Sequence, residues 1–246
     1  SMGGIGGRAQ ILIYTPAYGV HGIDATTQAP PFYEFDDTLG VEYGYQTIAV
    51  PGVVKGLTDG LSDYGSLPLA QVMTPAIGYA QNGFTLLPGE ASRQASVNEI
   101  LKEFEGTRQY YLNEDSTARQ AGDWVIQKDL AKVLNAISKK GSNVFYRGWI
   151  AQAMVQDIQK YGGFLTLKSL ENYQTEKSNI VTGSYRGYGL KSLWLPAYGA
   201  ITIEALQILE QLPVNLNKER EWARAVYHAI QAAYLDKKEQ KTIDDG

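Results

Sequence analysis

Few residues in this 246-residue chain can carry chemistry. It has no cysteine, which removes thiolate catalysis, disulfides and Cys-ligated zinc together and leaves the redox compartment open. The two histidines, His21 and His228, are too few for a His-rich metal site, and no serine or threonine has a neighbouring base that would complete a triad within this chain. His228 lies beside an apolar helical stripe and reads as a structural histidine. The glycines at 3, 4, 6 and 7 do not form a phosphate loop. GxxxxGK[ST] is missing, and GxGxxG fails because Ala9 and Gln10 stand where glycine is needed, so a tight turn before a strand is expected. Glu34, Asp36 and Asp37 have no apolar surroundings to raise a carboxyl pKa and read as a solvated turn. Gly22-Ile-Asp-Ala-Thr-Thr-Gln-Ala-Pro30 reads, on its own residues, as a short strand followed by a polar turn.

The elements that must position these groups follow from composition and period. With 44% hydrophobic and 20% charged residues, the chain is ordinary for a globular protein, and its length allows one large domain or two small ones. The net charge of −4 gives no reason to expect a nucleic-acid or anionic-membrane partner, and no run is long enough for a transmembrane helix. No signal peptide is present, and the abrupt Ser-Met-Gly-Gly opening is expected to lie inside a longer precursor. Ile11, Ile13 and Tyr14 predict a strand over 9–15. Val53, Val54, Leu57 and Leu61 share a helical stripe opened by Pro51 and closed by Gly65. Leu69, Val72, Met73, Ile77 and Ala80 predict a second helix capped by Ser66, kinked or started on a fresh turn at Pro75, and stopped at Gly83. Further helices are expected over 95–104, 127–140, 143–161, 201–212 and 218–241, with a polar loop over 107–120. Strands are expected within 40–50 and as a pair within 179–198.

The string VPG…G…G…YG.LPLA.VM.PAI..A..GF resembles the large subunit of the γ-glutamyltranspeptidases, members of the N-terminal-nucleophile hydrolases. The Gly-rich entry, the QKDLAKVLNAISKKGSNVFYRGWIAQ stretch and the following GGFLTLKSLENY resemble the same subunit. Ser169 stands where the family usually has Asp, and either can cap a helix. Leu-Pro-Ala-Tyr-Gly-Ala, 195–200, keeps only part of the family's Pro-Pro-Ser-Ser-Gly-Gly, and the bulky Tyr198 implies a remodelled wall.

The resemblance implies an α+β fold, a four-layer αββα sandwich of which this chain supplies half. Residues 1–246 are then one domain completed by a second chain, and 242–246 an exposed tail at a self-cleavage site. It further implies a threonine nucleophile at the head of a small subunit from the same precursor, no catalytic residue in this chain, Gly246 on the acyl side of the cut, and neither metal nor organic cofactor. The expected location is periplasmic or extracellular. The substrate that the resemblance implies is a small γ-glutamyl amide or a related amide. Where the family has Arg-Glu-Thr-Ala-Pro, with the arginine gripping the γ-glutamyl α-carboxylate, this chain has Thr26 at the arginine position. A threonine hydroxyl donates one neutral hydrogen bond and cannot neutralise a carboxylate. Thr26, Thr27 and Gln28 are the expected substrate-wall residues from this chain. Three readings stay open: a γ-glutamyl hydrolase or transferase, an acylase acting on another amide, and a silent binding scaffold.

Overall fold

The computed structural model describes residues 4–31, 33, 43–213 and 218–244, with the side chains of the last helix described as far as Lys237. In chain order it contains β1 (Ala9–Thr15), β2 (Gly19–Ala25), α1 (Val53–Tyr64), α2 (Leu69–Asn82), β3 (Phe84–Thr85), α3 (Pro88–Ser96), α4 (Asn98–Glu103) and α5 (Glu105–Tyr111). These are followed by β4 (Trp124–Val125), α6 (Lys128–Lys140), α7 (Asn143–Tyr146), α8 (Trp149–Lys160) and α9 (Leu167–Asn172). The last are β5 (Glu176–Lys177), β6 (Ile180–Tyr185), β7 (Tyr188–Leu193), α10 (Gly199–Gln211) and α11 (Glu219–Asp244). Two compact units emerge, one of residues 1–7, 28–54 and 65–173, the other of 8–27, 55–64 and 174–246.

The first unit is mainly helical. Its core gathers Val50, Val54, Ile137, Phe145, Ile150, Ile158, Leu165 and Leu170, with Phe145, Leu165 and Leu170 almost wholly buried. Tyr146 stacks on Tyr173 and donates its hydroxyl to the Pro51 carbonyl at 2.8 Å, so an aromatic body is buried with its polar tip satisfied. The α6 stripe turns Ala131, Leu134 and Ile137 inward, and Leu134 and Ala131 pack against Ala80, Ile77 and Met73 of α2.

The second unit is built on an antiparallel ladder. β1 pairs with β2 from Ala9↔Ala25 to Thr15↔Gly19, and β5 adds two residues to the other edge of β2. Ile11, Ile13, Ile23 and Ala25 face α1. A methyl at Gly56 of that helix would lie 2.4 Å from the Ala25 Cβ, so only glycine permits this approach. β6 and β7 form a hairpin from Ile180↔Leu193 to Tyr185↔Tyr188. α10 lies on β6, with Ile203 against Gly183, and packs on α11 through Ile201, Ala205, Leu209, Ala225, Ala229 and Ala233.

Several boundaries differ from the periodic reading. Ser66 does not cap α2. Pro68 holds extended angles at the cap position and disfavours helix in Leu67, which moves the start to Leu69. Pro75 lies inside a helix that runs on to Asn82. The segment ahead of Val50 forms a 3-10 turn at Tyr45–Thr47, and among the described residues of 40–50 only Val50 pairs, with Gln28. The helix expected over 95–104 is divided at Val97, and α5 occupies the start of the expected loop. The helix expected over 143–161 breaks where Gly148 is extended. Ser169 is not the cap of α9 but the third residue of a capping box. Thr166 Oγ1 accepts its N–H at 3.0 Å, and Ser169 Oγ accepts the Thr166 N–H at 2.9 Å. Helix α11 extends to Asp244, into the residues expected as an exposed tail. Glu34, Asp36 and Asp37 lie outside the described residues.

Phe145→Ala should lower unfolding free energy by about 3–5 kcal/mol, measured by urea denaturation, because a nearly sealed aromatic ring is replaced by a cavity.

Candidate functional site

β2 ends at the fully buried Ala25, and the chain leaves the sheet through Thr26, Thr27 and Gln28, all half-buried. Asp24 Oδ1 accepts both the Thr26 N–H, at 2.8 Å, and the Thr26 hydroxyl, at 2.7 Å. Both donors of Thr26 are thereby committed to a carboxylate. Gln28 is anchored through its backbone: its N–H donates to the Val50 carbonyl at 3.2 Å and its carbonyl accepts from Val50 at 2.8 Å. Asp24 stands opposite Gln10 in the ladder, on the face turned away from α1. Both polar atoms of the Gln10 amide are buried without a hydrogen-bond partner, while Leu12 and Tyr14 on the same face are 44% and 70% exposed. Arg8, one residue ahead of the Ala9↔Ala25 pair, is exposed and makes no ion pair among the described residues. Gly246 lies outside the described residues.

Among the described residues, the other chemistry-bearing groups lie apart from one another. His21 Nε2 meets the Tyr18 carbonyl at 2.5 Å, and its ring lies 5.1 Å from that of Tyr64. His228 is exposed on α11 with its ring against Tyr227. No group of three or more His, Cys, Asp or Glu suited to a metal occurs among the described residues, and no described helix is long and apolar enough to cross a membrane.

The Leu195–Ala200 segment contains a cis Leu195–Pro196 bond and leads into α10. Gly199 is buried, and a Cβ there would fall 2.3 Å from the Leu193 carbonyl, which explains why this small residue survives. Tyr198 is 56% exposed, with Lys237 Nζ 4.4 Å from its ring centroid, and it edges a groove of about 400 Å³ between α10 and α11 lined by Ile201, Leu209, Trp222 and Val226. A second, aromatic pocket of about 580 Å³ lies among Tyr43, Tyr45, Phe104, Tyr110 and Tyr111. Tyr110 donates to Asp129, and that bond with burial pushes its phenol up to about 12.

One titratable pair has no local signal in the sequence. Glu204 of α10 is desolvated and hydrogen-bonded to Asp236 of α11, which raises its pKa from 4.5 to about 7. Glu204 and Asp236 are far apart in sequence and are brought together by the packing of α10 on α11.

The γ-glutamyltranspeptidase family profile matches residues 1–244. The chain is 33% identical over 201 residues to a glutathione hydrolase proenzyme from Pseudomonas sp. (strain A14), covering 79% of this chain and 34% of that protein. It is also 33% identical over 168 residues to an acylase proenzyme, Acylase ACY 1 from Pseudomonas sp. (strain V22), covering 68% of this chain and 30% of that protein. The crystal structure of Helicobacter pylori γ-glutamyltranspeptidase superposes with a TM-score of 0.89 at 29% identity, over 96% of this chain and 71% of that one. The chain belongs to the γ-glutamyltranspeptidase family, and has its α+β N-terminal-nucleophile hydrolase fold. It spans about a third of the length of the curated relatives it matches.

Because the folded-state pKa of Glu204 lies above its unfolded value, the pair contributes stability that is complete below about pH 4.5 and is lost as pH rises through about 7. The protection factors of α10 and α11, that is, exchange corrected for its intrinsic base-catalysed rise with pH, should therefore fall between pH 5 and 8, and Glu204→Gln, which keeps a donor, should flatten that fall.

Proposed function

We propose that this chain is the large-subunit part of a self-processing acyl transferase or hydrolase that cleaves a γ-glutamyl or closely related amide. The observation that carries this reading is the family match running through residues 1–244 with a superposition of 0.89 on a γ-glutamyltranspeptidase. A small subunit from the same precursor supplies the nucleophile and the facing sheet. Supporting this, β1 pairs on one side only among the described residues, and Leu12 and Tyr14 are exposed on the face turned away from α1. The expected location is periplasmic or extracellular.

In processing, the hydroxyl of the threonine that follows the cut attacks the preceding carbonyl. The amide becomes an ester, and water hydrolyses it. Gly246 suits the acyl side because it has no side chain to obstruct the attack. The freed threonine then has its own α-amine, with a pKa near 8, as general base for its hydroxyl. Attack on the substrate amide gives an acyl-enzyme and releases the amine, and water or an acceptor amine takes the acyl group. Hydrogen-bond donors around the tetrahedral oxyanion lower the barrier in both steps. The Thr26–Gln28 segment forms part of the acyl-group wall, and no step calls for a metal or organic cofactor.

An acylase with a different acyl group is a second reading. It is favoured by Thr26 in the place of the family's arginine and by the likeness to an acylase proenzyme. The full precursor should give two bands on a denaturing gel, with threonine as the first residue of the smaller one, and should release aniline from a γ-glutamyl anilide. Two bands without release favour the acylase. A single uncut, inactive band rejects the enzyme reading and leaves a scaffold.

A further inference from the structure

We propose that the aromatic pocket beside α5 binds a small organic ammonium ion, of the quaternary or alkylated kind, through its ring faces and the carboxylates behind them. The pocket, of about 580 Å³, lies wholly within the helical unit and is lined by Tyr43, Tyr45, Phe104, Tyr110 and Tyr111. Among the described residues no lysine or arginine lines it. Phe104, between α4 and α5, is its centre. The Tyr43 ring meets that of Phe104 at 87° with centroids 6.3 Å apart, and the Tyr45 ring meets it at 70° and 5.7 Å. Rings at such steep angles stand as walls of a box rather than as a closed stack. Tyr43 and Tyr111 are 44% and 39% exposed, so the box opens to solvent.

Hydrogen bonding decides the sign of the charge it takes. The Tyr43 hydroxyl donates to Glu103 at 3.1 Å, that of Tyr110 to Asp129, and that of Tyr45 to Asp157. The lining threonines are committed as well: Thr47 donates to the Gly44 carbonyl at 2.9 Å, and Thr107 to the Leu101 and Phe104 carbonyls at 2.6 and 2.9 Å. With these five protons spent within the protein, the pocket has little to offer an anion. The carboxylates keep further lone pairs, and a phenol that donates to a carboxylate is polarised towards a more electron-rich ring. Both effects favour a cation against the ring faces. The chain itself gives a second sign. Outside the pocket lining, Tyr161 stacks on Tyr45 with centroids 4.5 Å apart, and Lys160 Nζ lies over the Tyr161 ring, 4.8 Å from its centroid. The Tyr161 hydroxyl, and then Asp157 and Glu105, raise the pKa of that ammonium. A cation is therefore already seated on the outer edge of the same aromatic system. The apolar walls suit an ammonium wrapped in alkyl groups better than a hydrated metal ion, because its charge sits behind a hydrocarbon surface.

The test uses the full-length protein, processed or not, and a matched pair of probes: choline and its neutral isostere 3,3-dimethylbutan-1-ol, each titrated by ligand-observed NMR. Choline should bind roughly 3- to 30-fold more tightly than the alcohol, the range expected for a cation over ring faces. Phe104→Leu, which keeps an apolar wall and removes a ring, should weaken choline by a similar factor and leave the alcohol unchanged. Tyr43→Leu, at the exposed rim, should do the same and serves where Phe104→Leu does not fold, as thermal unfolding will show. Asp129→Asn combined with Asp157→Asn should weaken choline and make its binding less sensitive to salt. If choline and the alcohol bind equally, if neither binds, or if choline binding survives both ring substitutions, the pocket is not a cation site. Neither readout uses turnover, so the result stands apart from the catalytic reading.

Discussion

The pairing of Ala9–Thr15 with Gly19–Ala25 is the constraint on which the polar geometry of the sheet unit depends. A strand presents alternate residues to opposite faces, so a slip of one position would exchange the two sets entirely. The register is held on both faces, since Gly22 lies against Leu193 and Ser178 on the side away from α1. Ile11, Ile13 and Ile23 lie on α1, and Gly56 brings that helix so close that the Ala25 methyl takes up the space a side chain would fill. The opposite face therefore receives Gln10 and Asp24, and Thr26 is drawn to the same side by two hydrogen bonds to one carboxylate oxygen. Burying Ala25 completely ends the strand at a fixed point, which in turn fixes where Thr26 begins the turn.

Much of the helical structure was legible in the residues. α6 was readable at both ends because its stripe, its terminal lysines and Gly141 agree, and local agreement of that kind is what periodic reasoning detects. The misplaced boundaries share one cause, a nearest-neighbour or long-range effect that outweighs periodicity. Pro68 acts on Leu67 and delays α2. Thr166 and Ser169 satisfy one another, so the cap falls three residues earlier than a serine alone would indicate. Tyr45–Thr47 has the alternating aromatic and β-branched look of a strand, but Tyr45 stacks on Tyr161 and packs against Phe104 from a 3-10 turn. The pairing of Glu204 with Asp236 likewise depends on two helices meeting, and nothing near either residue announces it.

The candidate site divides the same way. Position 26 was visible, since the motif around it makes the missing guanidinium conspicuous. Its commitment to Asp24 was not, because a hydroxyl two residues from a carboxylate has several local partners available and only backbone direction selects one. That Arg8 and Thr26 flank the last rung of the ladder follows from strand register, and register is a relation between segments that neither segment specifies alone.

The polar end of the ladder shows how strand register and local hydrogen bonding divide the work. Asp24 Oδ1 accepts both donors of Thr26, so the first residue beyond the strand is tied back to it and the direction of the turn is set within three residues. Gln10 stands opposite Asp24 and is the costly member of the pair, because a buried amide without partners is destabilising, and only the register that the packing enforces keeps it there.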